Sequence, residues 1–168
     1  MITAIAKNIF SPVAWNIVCG SLKPANIRKT NRVDTSDLLA SLADSDTKPG
    51  NLLKSQGVTF GEVMTCVRYH KQRFGSDLEI DPENVDLIFD SEGKEALNKA
   101  MKIASSHDKS QVTEDDLFVS LTGINDLKSP NFNSERIIRR IFSDSHRDFG
   151  ELDKAYRDSQ TEKIPIVV

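Results

Sequence analysis

Five polar residues sit in two stretches of the chain that repeat one another: Ser36 and Asp37 in residues 33–42, and Glu114, Asp115 and Asp116 in residues 112–121. Carboxylates at the head of an apolar run can do two kinds of chemistry. They can accept hydrogen bonds from the free backbone N–H groups that open a helix, where they also complement its dipole. Alternatively, they can hold a cationic group, such as a guanidinium, on a polypeptide partner. Asp37 and Asp116 fall three residues after Asp34 and Thr113, the spacing of a capping box, and are assigned to structure first. Glu114 and the positions just before the cap aspartates, Ser36 and Asp115, carry no such duty and are the narrower candidates for protein binding.

Other chemistry-bearing residues form no recognisable set. His70, His107 and His146 are isolated, and Cys19 and Cys66 lack metal-type spacing. Asp44-Ser45-Asp46 starts like a calcium loop, but Pro49 stands where the loop needs glycine and Ser55 where it needs a bidentate glutamate. Asp148-Phe149-Gly150 spells a kinase tripeptide without the loops that accompany it. No phosphate-cradling glycine-lysine loop and no catalytic triad stand out, so the chain reads as a non-enzyme without cofactor or metal. Two basic groups remain: Arg68-Tyr69-His70-Lys71-Gln72-Arg73, and Arg136 with Arg139 and Arg140. Both read first as solvated helix faces. The first, with its tyrosine, supports the alternative reading of a helical nucleic-acid-binding module.

The elements that must position these residues come in two copies. Residues 33–42 recur at an offset of 79, Val33 on Val112, and the register holds upstream, Phe10 on Phe89 and Ala25 on Ala104. A period of that length fits a small multi-helix unit. Ser11-Pro12 is a helix start, and Gly20 and Pro24 predict a break near Ser21. Its counterpart, carrying Ala96, Leu97, Ala100, Met101 and Ala104, has no proline and is expected to run unbroken. Leu38, Leu39 and Leu42 share one face of the next helix, the 44–50 stretch reads as a turn, and Gly57 as a helix C-cap. Thr59-Phe60-Gly61-Glu62 and Asp148-Phe149-Gly150-Glu151 are both read as capping boxes. The 75–88 stretch is expected to connect the modules, and 122–133 to be a longer loop inserted in the second copy.

No sustained alternation of period two occurs, so the expectation is an all-α fold: two four-helix modules, about eight helices, at 8–74 and 88–158 within one domain of 1–158, with a 159–168 tail. The 168 residues, 38 % hydrophobic and 28 % charged, suit a globular chain, and a net charge of −3 disfavours a generally basic nucleic-acid surface. No apolar run reaches the roughly 20 residues that cross a bilayer, the start lacks a secretory pattern, and two unspaced cysteines fit a reducing compartment. The cytoplasm is the expected location.

The strings Phe10-Ser11-Pro12, 33–42, 52–58, Phe89-Asp90-Ser91 and 112–121, duplicated in phase, resemble the N-terminal domain of Clp-type AAA+ unfoldases over residues 8–158. That resemblance implies a mobile, non-catalytic module that binds adaptor proteins and substrate polypeptides for an ATPase ring, or an accessory subunit of a Clp protease. The implied partners are a Clp unfoldase or peptidase, adaptors or substrates. The family usually has Thr-Glu-His before its Leu-Leu pair, and some relatives hold an arginine-derived group on that glutamate. Here Ser36 cannot supply the charge, and Asp115 is one methylene shorter.

Overall fold

A computed structural model describes residues 6–30, 32–67, 88–124 and 131–161. The expected end of the fourth helix near Gly75, the 75–88 connector up to 87, the 68–73 basic cluster, half of the inserted loop (125–130) and the tail beyond 161 lie outside them. Ten helical segments are described: α1 (Ala6–Ile9), α2 (Pro12–Gly20), α3 (Leu22–Ile27), α4 (Thr35–Asp44), α5 (Lys48–Ser55), α6 (Phe60–Val67), α7 (Ser91–Ser106), α8 (Glu114–Thr122), α9 (Asn133–Asp144) and α10 (Gly150–Thr161). The fold is all-α. With α2 and α3 counted as one broken helix, each repeat contributes four among the described residues, and α1 is a short turn ahead of the first.

The break falls at Ser21 because Pro24 lacks the N–H that would bond back across that turn. Ser21 caps the interruption instead, its hydroxyl donating to the Val18 carbonyl at 2.5 Å. In the second copy nothing interrupts α7, which runs 16 residues from its N-cap Asp90. Both copies leave this arm through the same left-handed turn, at Lys29 (φ 55°) and at its counterpart Asp108 (φ 55°).

The repeats interlock rather than stack. Phe10 of the first pairs with Val112 of the second, and Val33 of the first with Phe89 of the second, in two short parallel bridges. The backbone bonds are equivalent: Val112 N–H donates to Ile9 and Val33 N–H to Ile88, both at 2.8 Å. Phe10 and Phe89 are each 1 % exposed, so neither repeat closes its core without the other. The central helices α4 and α8 are tied to the first arms by matching bonds, Ser41 Oγ to the Ile17 carbonyl and Ser120 Oγ to the Ala96 carbonyl, each 2.6 Å. Across the interface α9 packs on α6 and α10 on α5.

Two expectations are corrected here. The helix α4 has no solvent face: α2, α3, α5, α6, α7, α8 and α9 surround it, and every residue from Thr35 to Ala43 is buried. The 44–50 stretch is a turn only as far as Thr47, which caps α5 by accepting from the Gly50 N–H at 3.1 Å. Proline is tolerated in a first helical turn, so Pro49 opens α5 rather than barring it. Gly50 is required there by close approach, since a Cβ would lie 2.5 Å from the Ser45 carbonyl oxygen and 2.6 Å from that of Leu42.

Candidate functional site

At the start of α4 both halves of the capping box form. Asp34 accepts from the Asp37 N–H at 3.2 Å and from the Ser36 N–H at 2.9 Å, and the Asp37 carboxylate accepts from the Asp34 N–H at 3.0 Å. Asp37 also receives a bidentate guanidinium from Arg28, whose Nε donates to Oδ1 at 2.8 Å while Nη2 donates to Oδ2. With the Asp37 side chain 1 % exposed, burial pushes its carboxyl up to about 7, against the opposing pull of Arg28, while the neighbouring Asp34 charge adds to the rise. Burial pulls Arg28 the other way, yet the hydrogen bonds and charge of Asp37 hold its guanidinium above the ordinary value. Ser36 is 3 % exposed and its hydroxyl donates to Asp34. A second seal covers this helix start: Thr35 Oγ1 donates to Glu92 at 2.6 Å, and the Asn133 N–H donates to the same carboxylate oxygen at 2.6 Å.

The start of α8 repeats the box with a different cation. Asp116 accepts from the Thr113 N–H at 2.9 Å and pairs with Lys109 at 3.0 Å. Lys109 keeps 34 % of its side chain exposed, against 16 % for Arg28. Of the five residues singled out from sequence, Ser36, Asp37 and Asp116 are therefore buried with partners inside the chain. Glu114 and Asp115 are half-buried at the head of α8, where Tyr156 stacks on Phe118 with ring centroids 5.0 Å apart. Burial raises the Tyr156 phenol, and the Asp115 and Asp116 charges add to that.

Two of the three basic residues of α9 singled out from sequence have partners nearby: Arg139 lies over the Phe149 ring at 4.1 Å, and Arg140 reaches Asp144 at 3.8 Å, while Arg136 is exposed. Glu151 turns to Arg147 at 2.8 Å, and Arg147 also reaches the Gln56 carbonyl at 2.5 Å, which bolts α10 to the end of α5. Among the described residues no group of three His, Cys, Asp or Glu side chains could hold a metal ion, and no helix is long and apolar enough to cross a membrane.

A different feature was not read from the sequence. An open groove of about 330 Å³ runs between α2 and the end of α4, floored by Ile17 and Ser41, with Val13, Asn16 and Gly20 on one bank and the 44–47 turn on the other. Val13 is 42 % exposed, a large apolar side chain left facing solvent. Asp44 and Asp46 are exposed on the rim. Gly20 lets α2 approach α4 here, since a Cβ would lie 2.5 Å from Ser41 Oγ.

The second repeat fills the matching place. Val13, Asn16 and Gly20 correspond to Glu92, Glu95 and Lys99. Glu92 is bound to the head of α9, and Lys99 Nζ lies 5.8 Å from the Phe132 ring centre. Phe132, 1 % exposed, and Ile124, 2 % exposed, plug what in the first repeat is open. These residues bound the inserted loop, and Ser134 Oγ pins the plug to the Leu121 carbonyl at 2.7 Å. The signal for the groove was in the sequence as a difference between the copies, Val and Gly against Glu and Lys, with no partner to the insertion.

No protein-family model matches the chain, and no curated protein sequence is found to match it. Among solved structures, the chain is similar to the N-terminal domain of the caseinolytic protease-associated chaperone ClpD from Arabidopsis thaliana, with a TM-score of 0.62, 18 % identity, and coverage of 91 % of this chain and 98 % of that one. It is also similar to the Hsp104 N-terminal domain from Candida albicans, with a TM-score of 0.55, 16 % identity, and coverage of 87 % of each chain. The chain has the fold of these Clp-type N-terminal domains.

Proposed function

We propose that the chain is a divergent Clp N-terminal domain, a non-catalytic docking module that receives segments of polypeptide partners in the cytoplasm. Its partners are then adaptors or substrates of a Clp-type unfoldase or protease, or the chain serves such a complex as an accessory subunit. The observation that carries this reading is the groove of the first repeat. It has the make-up of a site for an extended segment: apolar surface at Val13 and Ile17 for side chains, and the Asn16 amide for a backbone bond. The rim carboxylates Asp44 and Asp46 favour a segment in which a basic residue adjoins apolar ones. The fold shared with chaperone N-terminal domains supports the same class of partner. Glu114 and Asp115 form a second, weaker acidic contact at the head of α8, reachable where Ser36, Asp37 and Asp116 are not.

The test is fluorescence anisotropy with a labelled, permanently unfolded probe, reduced and carboxymethylated lactalbumin. Binding is expected, and Val13→Arg, at an exposed position, is expected to weaken it at least about tenfold by placing a charge on the apolar bank. No binding by the wild-type chain, or unchanged binding by Val13→Arg, contradicts the proposal.

A further inference from the structure

Apart from the groove, a smaller cleft of about 180 Å³ opens where α9 packs on α6. Asn133, Arg136, Ile137 and Arg140 line it from α9, at the spacing that puts them on one stripe of a helix. Cys66 lines it from α6 and, like Ile137, is buried, so apolar surface lies beneath a cationic rim. Arg136 is exposed, and no carboxylate among the described residues pairs with it. Arg140 stands 3.8 Å from Asp144 in a pair more than half exposed on both sides, which water screens. Burial raises the Cys66 thiol above its ordinary value; Arg140 opposes that rise, and its pull exceeds the push of either Asp144 or Glu62.

The first repeat uses the corresponding positions as ties. Matching the helix ends, Gln56 on Ser145, puts Thr47, Lys48 and Asn51 on Arg136, Ile137 and Arg140. Thr47 caps α5, Lys48 donates from Nζ to the Ser159 carbonyl of α10 at 2.6 Å, and Asn51 donates to Asp46 at 3.3 Å. In the second repeat isoleucine replaces the bridging lysine and arginines replace the two neutral groups, so two cations border a cleft where the first repeat has a bridge.

We infer that the cleft between α9 and α6 binds an oxyanion on a partner polypeptide, with the guanidinium groups of Arg136 and Arg140 on its oxygens and Ile137 beneath the carbons that carry it. Two guanidinium forks and the Asn133 amide suit a carboxylate and a phosphate group alike. The cleft is small, and the Glu62 and Asp144 charges that reach the same thiol repel a continuous polyanion, so a single anionic group fits where a nucleic-acid strand does not. That the bearer is a polypeptide rests on the docking reading. The site itself shares no residue with the groove and takes the opposite charge.

The experiment is amide NMR of the full chain titrated separately with the blocked peptide Gly-Ile-Glu-Glu-Gly, the same peptide with phosphoserine in place of each glutamate, inorganic phosphate, and an oligothymidine strand. Saturable shifts at Asn133, Arg136, Ile137 and Arg140 are expected with at least one peptide, at a Kd of about 1 mM or tighter. Arg136→Glu/Arg140→Glu, at exposed positions, is expected to weaken that peptide at least about tenfold, and Arg136→Lys/Arg140→Lys by less, since lysine keeps the charge without the fork. The peptide that binds more tightly identifies the oxyanion. Unmoved amides at these four residues with both peptides, or equal affinity after charge reversal, overturn the inference. Binding of inorganic phosphate without either peptide also overturns it, the cleft then holding an adventitious ion only. Tighter binding of oligothymidine than of both peptides overturns it in favour of a nucleic-acid contact. Failure here leaves the groove reading standing, because Val13→Arg tests that separately.

Discussion

The two repeats share a frame down to single hydrogen bonds, Ser41 to Ile17 and Ser120 to Ala96, and yet treat one place in that frame oppositely. In the second repeat the space between the first arm and the end of the central helix is filled by Ile124 and Phe132 and sealed by Glu92 and Lys99. In the first the same space is open, with Val13 exposed and Gly20 where a lysine would be. Duplication gave two equivalent hollows. One is core, closed by Ile124 and Phe132, and the other is open.

The largest expected effect comes from undoing the plug. Phe132→Ala removes a fully buried ring and leaves a hollow where the first repeat has its groove, and it is expected to cost about 3–5 kcal/mol in urea unfolding. Should the cost fall near zero, the second hollow is not a core site and the contrast between repeats collapses.

Next is the contrast between the two cap cations. Arg28→Ala strands a carboxyl that is 1 % exposed and is expected to cost about 3 kcal/mol, near the lower end for breaking a buried pair because Asp37 can take up a proton. Lys109→Ala also leaves a buried carboxyl, Asp116 at 2 % exposed, but one-third of the lysine side chain faces water, which can take its place, and a smaller loss of about 1–2 kcal/mol is expected in the same assay. Equal losses would contradict the asymmetry.

The smallest effect is a pH slope confined to the first repeat. The Asp37 carboxyl lies at about 7 in the folded chain, against about 3.9 for an unfolded aspartate. The folded state therefore holds a proton that the unfolded state has released. This contribution is fully present below about pH 4, shrinks as the pH rises and is gone above about pH 7. Asp37→Asn should flatten the stability profile between pH 5 and 7 relative to wild type. Parallel profiles for the two proteins would contradict this placement of the Asp37 proton.

What the sequence revealed follows the same division. The repeat register, the capping boxes that open α4 and α8, the break at Ser21 and the unbroken α7 were legible because each depends on residues within a turn or two of one another, while the box expected at 148–151 gives way to the pairing of Glu151 with Arg147. The cation that holds Asp37 was not, since a half-buried guanidinium nine residues away leaves no periodic trace. Ser36 looked reachable because it carries no capping duty and a short polar helix start usually faces water; the packing of both repeats around α4 removes that face. The groove was invisible for a different reason: it is made by what Gly20 and Val13 lack in comparison with Lys99 and Glu92, and by an insertion that only the second copy carries.

The most direct test of the account maps where an unfolded polypeptide binds. Amide NMR of the full chain titrated with carboxymethylated lactalbumin should show shifts at Val13, Asn16, Ile17, Gly20 and residues 44–47, with Glu92, Glu95 and Lys99 unmoved. Shifts centred on those second-repeat counterparts instead, or none in the groove of the first, would contradict the claim that the open hollow is the docking site.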